Sequence, residues 1–295
     1  MDVSFLTALT SNPLLLSAVI AGVAASVVSG IIGSYVVVKR IVFISGSISH
    51  SVLSGIGICL WLERARGVEW ADPLQGALVA GILSALIIGW VHLYYRERED
   101  SVIAALWSIG MAIGVLFISQ TPGFNVELTN FLIGNILWVT PSDLYILFGL
   151  DIFIVAIVLC LHKRFLAICF DEDQALLQGI PVNALYLLLL VLIAVTIVLL
   201  IQVVGIILVM TMLTIPAAIS NLFTTRLSFM MMIAMVLGGV LSFAGMGTAY
   251  YLDWPGGATI ALISGIAYGI ALILKKARLI NPNLLFKTSS KSKAT

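Results

Sequence analysis

The sequence of residues 182–203, VNALYLLLLVLIAVTIVLLIQV, contains no charged side chain and decides the fold class. An α-helix needs about 20 predominantly apolar residues to cross the roughly 30 Å hydrocarbon core of a bilayer, so this segment predicts a transmembrane helix. Charged clusters divide the rest of the chain into eight more such segments. These lie at 13–38, 44–62, 73–95, 101–119, 143–162, 205–223, 228–251 and 257–274. We therefore predict an all-α, polytopic transmembrane helical bundle of nine spans, with eight or ten as the alternatives.

The composition excludes several classes of protein. Of the 295 residues, 61% are hydrophobic and 10% are charged, and the mean hydropathy is +1.16. A soluble domain usually has about 45–50% apolar and about 25% charged residues. A nucleic-acid binder, a secreted disulfide scaffold, a coiled coil and a large soluble catalytic domain are all inconsistent with these values.

The distribution of basic residues predicts an orientation. Lysine and arginine are concentrated in the cytoplasmic loops of membrane proteins. If Lys39 and Arg40 are cytoplasmic, alternation of nine spans places 13 of the 15 basic residues on that side, leaving Arg64 and Arg66 outside. We predict an outer N-terminus, a cytoplasmic C-terminus, one transmembrane domain over residues 1–286, and a disordered, basic, Ser-rich tail over 287–295.

Two short segments do not fit as spans. The apolar segment 131–138 predicts a short helix on the outer face. On the cytoplasmic side, the segment 171–179 predicts a two-turn helix with Asp171 as its N-cap, Gln174 at the capping-box position and Gly179 near its end. This helix would present Ala175, Leu176 and Leu177. Docking to a partner protein and lying on the bilayer surface are both consistent with these exposed apolar residues.

A polar stripe distinguishes the second predicted span. At helical spacing, Ser47, His50, Ser51 and Ser54 share one face. An ionisable side chain inside the membrane is costly unless it faces a water-filled path or a partner. His50 is therefore either a residue of an ion pathway or a histidine hydrogen-bonded to a neighbouring helix. Imidazole is a suitable ligand for zinc, iron, nickel and copper ions.

Three other polar or helix-weakening positions lie inside predicted spans. Asp151 is the carboxylate deepest within a span, and it is either a pathway residue or the partner of a polar side chain on another helix. Thr214 and Pro216 are candidates for a gating position, because proline frees a backbone carbonyl and often marks a break in a membrane helix. The sequence has no GxxxxGK[ST] nucleotide-binding loop and no HExxH motif, and it predicts no permanently bound cofactor or metal.

Six motifs in order along the chain resemble one family, the permease subunits of bacterial ABC importers for divalent transition metals. The motifs are GSYVVVKR at 33–40, ISGSISHSVLSG at 44–55, LTNFLIGNIL at 128–137, DQALLQGIP at 173–181, the segment 202–218, and YYLDWPGGAT at 250–259. In that family, the second motif carries an aspartate four residues before its histidine. Here the histidine matches at His50 and the aspartate position is Gly46, so only His50 corresponds to a candidate metal ligand.

The resemblance implies an assembly as well as a cargo. A homodimer or heterodimer of permeases would form the ion pathway in the inner membrane. Membrane lipid would surround this dimer, and no nucleic acid would be among its partners. Separate ATP-binding subunits would hydrolyse ATP, so this chain would not be an enzyme, and an extracytoplasmic protein would deliver zinc, manganese or iron. The ATP-binding subunits would dock on the cytoplasmic coupling helix, through Asp171, Asp173, Gln174, Ala175, Leu177 and Gly179.

Two other functions use the same residues. An autonomous secondary carrier or channel could be driven by an ion gradient through Asp151 and His50. An intramembrane hydrolase could use Ser47 with His50, although residues at i and i+3 on one helix do not by themselves form a chain of nucleophile, base and orienting group. Dependence on a separate ATPase distinguishes the importer from the carrier, and labelling by a serine-directed probe would identify the hydrolase.

Overall fold

The computed structural model describes residues 4–95, 99–123, 131, 134 and 136–280, and within these residues it contains helices and no strand. The α-helices are α1 (Phe5–Ser11), α2 (Pro13–Val38), α3 (Val42–Arg66), α4 (Pro73–Tyr94), α5 (Glu99–Ser119), α6 (Pro141–Phe170), α7 (Glu172–Leu177), α8 (Val182–Val204), α9 (Ile206–Phe223), α10 (Leu227–Leu252) and α11 (Gly256–Ile280). The predicted all-α class is confirmed.

Nine of these helices, α2 to α6 and α8 to α11, are long and apolar enough to cross a membrane within the described part of the chain. Each corresponds to one predicted span, so the prediction of a nine-span bundle is confirmed. The main differences are in α6, which continues from the predicted end at residue 162 to Phe170, and in α1, which was not predicted. The basic tail at 287–295 lies outside the described residues.

Proline and a capping side chain fix where three of the spans begin. Proline is favoured at the first helical position because its fixed φ suits a helix and its missing N–H would have no partner there. The residue before each proline caps the helix by accepting a backbone N–H in its side chain. These caps are Asn12 for α2, Asp72 for α4 and Thr140 for α6, which forms a reciprocal capping box with Asp143.

Helix α2 lies at the centre of the bundle. It is the most buried of the spanning helices and packs against α6, α8, α9 and α10. The contact with α10 is close because small residues face it: a Cβ added at Gly22 would lie 3.1 Å from the Cβ of Ser242, and one at Gly30 would meet the backbone of Met235. Small residues at such positions allow membrane helices to approach closely. Gly265 and Gly269 on α11 instead have no neighbour within 4 Å of an added Cβ.

One end of the bundle is defined by contacts between helix termini. The His92 ring lies 4.5 Å from that of Tyr186, and the Lys39 ammonium lies 5.6 Å from the Tyr186 ring centroid. His162 bonds to Tyr35, which lies one turn before Lys39 on α2, and to Ser228. These contacts bring together the ends of α2, α4 and α6 and the starts of α8 and α10. We call this the basic end.

A tight connection joins α2 to α3 at the basic end. Lys39 is the C-cap of α2, Arg40 has a left-handed backbone with φ of 61°, and α3 begins at Val42. At the opposite end, the predicted outer-face helix at 131–138 is described only in part. Its described portion is Phe131, Gly134 and a single 3₁₀ turn, Ile136–Trp138.

Candidate functional site

His50 lies on α3, about 12 Å along the helix axis from the first residue of that helix, Val42, at the basic end, at 1.5 Å per residue. Its ring is half-buried and stacks on the indole of Trp107 from α5, with centroids 4.4 Å apart and planes inclined by 15°. The ring nitrogen Nδ1 is buried and has no hydrogen-bond partner among the described residues. A histidine with an unpaired ring nitrogen can accept a proton or ligate a metal ion.

Gly46 occupies the position at which the resembled family carries an aspartate, and its neighbours are apolar side chains. Gly46 lies one turn before His50, and a Cβ built there would be 3.2 Å from the Trp107 ring and 3.3 Å from the methyl carbon of Met210 on α9. The Met210 sulfur accepts a hydrogen bond of 3.3 Å from Ser49. The face that carries Gly46 and His50 is therefore in contact with an indole and a thioether.

The serines of the polar stripe lie mainly in a helix–helix contact. The Ser47 hydroxyl donates to the carbonyl of Ile103 at 2.9 Å, and the Ser51 hydroxyl donates to its own helix and to Leu106 at 3.2 Å. Both serines are buried between α3 and α5, whereas the half-buried Ser54 donates to the carbonyl of Ser51. In this conformation, Ser47 and Ser51 hold α5 against α3.

Two glycines on α5 make this contact close, and the sequence analysis did not identify them. A Cβ added at Gly110 would meet the backbone of Ser51 at 2.6 Å, and one at Gly114 would meet Leu53 at 2.6 Å. The Gly110/Gly114 pair has the GxxxG spacing that allows membrane helices to approach closely. That spacing is the signal that could have located this face.

The gating candidates on α9 have distinct environments. Thr214 donates its hydroxyl to the Met210 carbonyl of its own helix at 2.7 Å. Pro216 is buried inside α9, and its carbonyl accepts a hydrogen bond from Ser220. Because proline lacks an N–H, α9 lacks one internal hydrogen bond at this position.

Asp151 lies on α6, away from His50. It is 8% exposed, and its Oδ1 atom has no hydrogen-bond partner among the described residues. Helix α6 packs mainly against α2 and α8, whereas α3 packs mainly against α4, α5 and α8. The described residues also contain no cluster of three or more His, Cys, Asp or Glu side chains that could hold a metal ion.

The predicted cytoplasmic helix is present as α7, at the basic end. Asp171 is its N-cap and accepts the Gln174 N–H at 2.9 Å, and Gly179 adopts a left-handed φ of 75° after the helix. Leu176 and Leu177 are exposed, at 64% and 88%.

Ala175 differs from the prediction, because it is 1% exposed and so is not presented with the two leucines. The helix places Ala175 on the side facing the bundle, where its carbonyl also accepts the Ile180 N–H. The apolar surface of α7 is therefore formed by Leu176 and Leu177.

Lys39 and Glu172 form an ion pair that links α2 to the first turn of α7. A groove next to this link lies between the end of α6 and α7. Its lining residues include Lys163, Phe170, Asp171, Gln174 and Gln178. The basic end thus combines an exposed apolar helix, a mixed-charge groove and a connection to the central helix.

Residues 11–275 match the family described as the ABC 3 transport family. The chain belongs to this family. The match includes all the motifs on which the resemblance was based, so the prediction of a metal ABC importer permease is confirmed.

Similar proteins support the same assignment. A Chlamydia trachomatis protein named "Probable metal transport system membrane protein" is 52% identical, covering 90% of each chain. The manganese transport system membrane protein MntC of Halalkalibacterium halodurans is 31% identical, covering 90% of this chain and 89% of that protein. The solved structure of PsaBC from Streptococcus pneumoniae in complex with Fab superposes with a TM-score of 0.81 at 29% identity, covering 95% and 99%.

Proposed function

We propose that this chain is the membrane-spanning subunit of an ATP-driven importer of a divalent transition-metal ion, with Mn²⁺ as the cargo. Family membership and relatives that are named for manganese transport support this function. The observation that supports a role for this chain in the ion pathway is the buried, unpaired Nδ1 of His50 in a membrane-spanning helix. Zinc and iron are the alternative cargoes.

In this proposal, His50 is the pathway ligand. Two copies related by a two-fold axis would supply two imidazoles, and such an incomplete coordination shell would bind an ion weakly enough to release it. A movement of α3 relative to α5 and α9 would open the path beside Ser47, Ser51 and Ser54, with Thr214 and Pro216 on the moving face of α9. Asp151 is a weaker candidate for a second ion ligand.

In this proposal, separate ATP-binding subunits supply the free energy for transport by hydrolysing ATP. Leu176 and Leu177 form an exposed apolar surface on a two-turn helix that is too short to be stable alone. Docking of an ATPase would cover both leucines. The same docking surface would include Asp171, Asp173, Gln174 and Gly179. The buried Ala175 would hold α7 against the bundle. An extracytoplasmic metal-binding protein and a second permease, identical or related, complete the proposed assembly.

The proposed location is the bacterial inner membrane, with the basic end in the cytoplasm. The charge asymmetry of the loops supports an outer N-terminus and a cytoplasmic C-terminus. Residues 1–286 would form one permease domain, followed by the disordered tail at 287–295.

The two other functions have less structural support. A gradient-driven carrier would use Asp151 with His50, but these residues lie on helices with largely different neighbours. A hydrolase would need a hydrogen bond between Ser47 and His50, but the Ser47 hydroxyl donates to the Ile103 carbonyl. Loss of transport on ATP depletion, with the membrane potential held constant, separates the importer from the carrier.

The metal content of cells tests the proposed cargo. Cells that lack this gene, grown at limiting metal supply, should contain less manganese, with zinc and iron unchanged. The wild-type gene should restore manganese, and His50→Ala should not, although the variant should reach the membrane at wild-type levels. Unchanged content of all three metals would contradict the proposed function, and loss of zinc or iron alone would change the cargo.

A further inference from the structure

The last turns of α2 carry two side chains that reach the segment formed by the end of α6 and α7. Tyr35 bonds through its hydroxyl to Nδ1 of His162 on α6 at 3.3 Å. One turn later, Lys39 forms its ion pair with Glu172 on α7. The segment that carries the exposed leucines is therefore tied to the central helix at two successive turns.

Lys39 is largely buried at the junction between the end of α2 and the start of α7. Its side chain is 13% exposed, and that of Glu172 is 36% exposed. The Lys39 ammonium also lies 5.6 Å from the ring centroid of Tyr186 on α8, within the range of a cation–π contact. Because Lys39 is largely buried, removing Glu172 leaves the Lys39 ammonium without a paired charge, which costs more than the loss of a fully exposed pair, and the partial exposure of Glu172 reduces this cost through solvent screening.

Helix α2 connects this junction to His50. Lys39 ends α2, and only Arg40 and Ile41 separate it from the first residue of α3, the helix that carries His50 eight residues later. Because a helix moves largely as a rigid rod, a displacement of Lys39 would tilt or shift the start of α3 against α5.

We propose that Lys39 is the positioning residue that transmits movement of α7 to the ion pathway. This inference rests on the proposed function, in which an ATPase moves α7. The charge pair makes α2 follow α7, and the short connection from α2 to α3 carries that movement to His50. Lys39 contacts neither the ion nor ATP, and it acts through Glu172.

Charge-swap variants of the complete transporter test this role. The wild-type complex, reconstituted in lipid vesicles with its ATP-binding subunits, is assayed for Mn²⁺ uptake and ATP hydrolysis in the same sample. Lys39→Gln and Glu172→Gln should each lower the Mn²⁺ transported per ATP about tenfold, within the range of coupling energies measured along such networks. The double variant Lys39→Glu/Glu172→Lys should restore a substantial part of this ratio.

Two controls separate transmission from docking and from general charge effects. Arg226→Gln removes the same charge from an exposed side chain at the basic end and should keep the wild-type ratio. The ATP-binding subunits should co-purify with Lys39→Gln as well as they do with the wild type, since the Lys39 side chain is largely buried.

Three results would overturn the inference. These are a wild-type ratio of Mn²⁺ to ATP in Lys39→Gln, a swapped pair no better than its single variants, or loss of the ATP-binding subunits from the Lys39→Gln complex. In each case a transporting wild-type complex leaves the proposed function intact. If the wild-type complex itself moves no Mn²⁺, zinc or iron with ATP, the proposed function fails, and the inference fails with it.

Discussion

The three histidines of this chain all lie in membrane-spanning helices, and two of them, His50 and His162, have opposite surroundings. His162 is hydrogen-bonded at both ring nitrogens, by Tyr35 and by Ser228, and so joins three helices at the basic end. His50 stacks on Trp107 and leaves its buried Nδ1 unpaired. A buried polar atom without a partner lowers stability and is retained where function needs it. The comparison therefore supports a structural role for His162 and the ion contact that we propose for His50.

The same substitution at the two histidines should have opposite effects. His50→Ala should lower Mn²⁺ uptake at least about tenfold, since even the outer-shell partners of metal ligands contribute about 10–100-fold. Its thermal stability should stay close to that of the wild type, because no hydrogen bond is lost and removal of a buried polar atom without a partner offsets the lost stacking on Trp107. His162→Ala should lower stability by about 1–2 kcal/mol, because two interhelical hydrogen bonds are lost. Uptake assays and thermal unfolding in detergent check both results, and equal loss of stability in the two variants would contradict the comparison.

Trp107 tests whether the stacked indole orients His50. Trp107→Leu removes the ring contact, which contributes about 0.5–1.5 kcal/mol in aromatic pairs, and should raise the Mn²⁺ concentration for half-maximal uptake about twofold to tenfold. Trp107→Phe keeps an aromatic face and should lie between the wild type and Trp107→Leu. An unchanged half-maximal concentration in Trp107→Leu would show that His50 is oriented by other contacts.

Asp151 tests how far an unpaired buried atom by itself indicates function. Asp151→Asn keeps the shape of the side chain and removes its charge. We expect uptake to fall less than about threefold and thermal stability to stay the same or rise, because the amide avoids burying a carboxylate without a paired cation. A loss of uptake as large as that of His50→Ala would instead place Asp151 on the ion path.

The smallest expected effect concerns Ser228, which supplies one of the two hydrogen bonds to His162. Ser228→Ala should lower stability by about 0.6 kcal/mol, the average for interhelical side-chain hydrogen bonds in membrane proteins. Ser119→Ala is the matched control, because the Ser119 hydroxyl bonds only to the Leu116 carbonyl of its own helix. If both variants unfold at the same temperature, the His162 junction contributes nothing measurable.

The spans, their number and the position of α7 were predictable because each depends on local sequence. The length of an apolar segment predicts a span, and Asp171 with Gly179 predicts the ends of α7. The surroundings of the candidate site were not predictable, because they are formed by contacts between residues that are far apart in the sequence. Lys39 and Glu172 are 133 positions apart, and nothing in either local sequence indicates that they meet. The contact of Trp107 and Met210 with the Gly46 face likewise comes from the packing of three helices.

For His162, the local sequence indicates the position of the residue in its helix but not its hydrogen-bond partners. Its neighbours Lys163 and Arg164 are basic, which is typical of a position near the end of a membrane span. Its two hydroxyl partners lie on α2 and α10, so its role as a junction follows only from the fold.

Metal transport by the purified chain in lipid vesicles, with and without its ATP-binding subunits, tests the central claim most directly. We predict that Mn²⁺ accumulates against its gradient only when the ATP-binding subunits and hydrolysable ATP are present, and that His50→Ala abolishes most of this accumulation. Uphill accumulation of Mn²⁺ by the chain alone, driven by an ion gradient, would contradict the account.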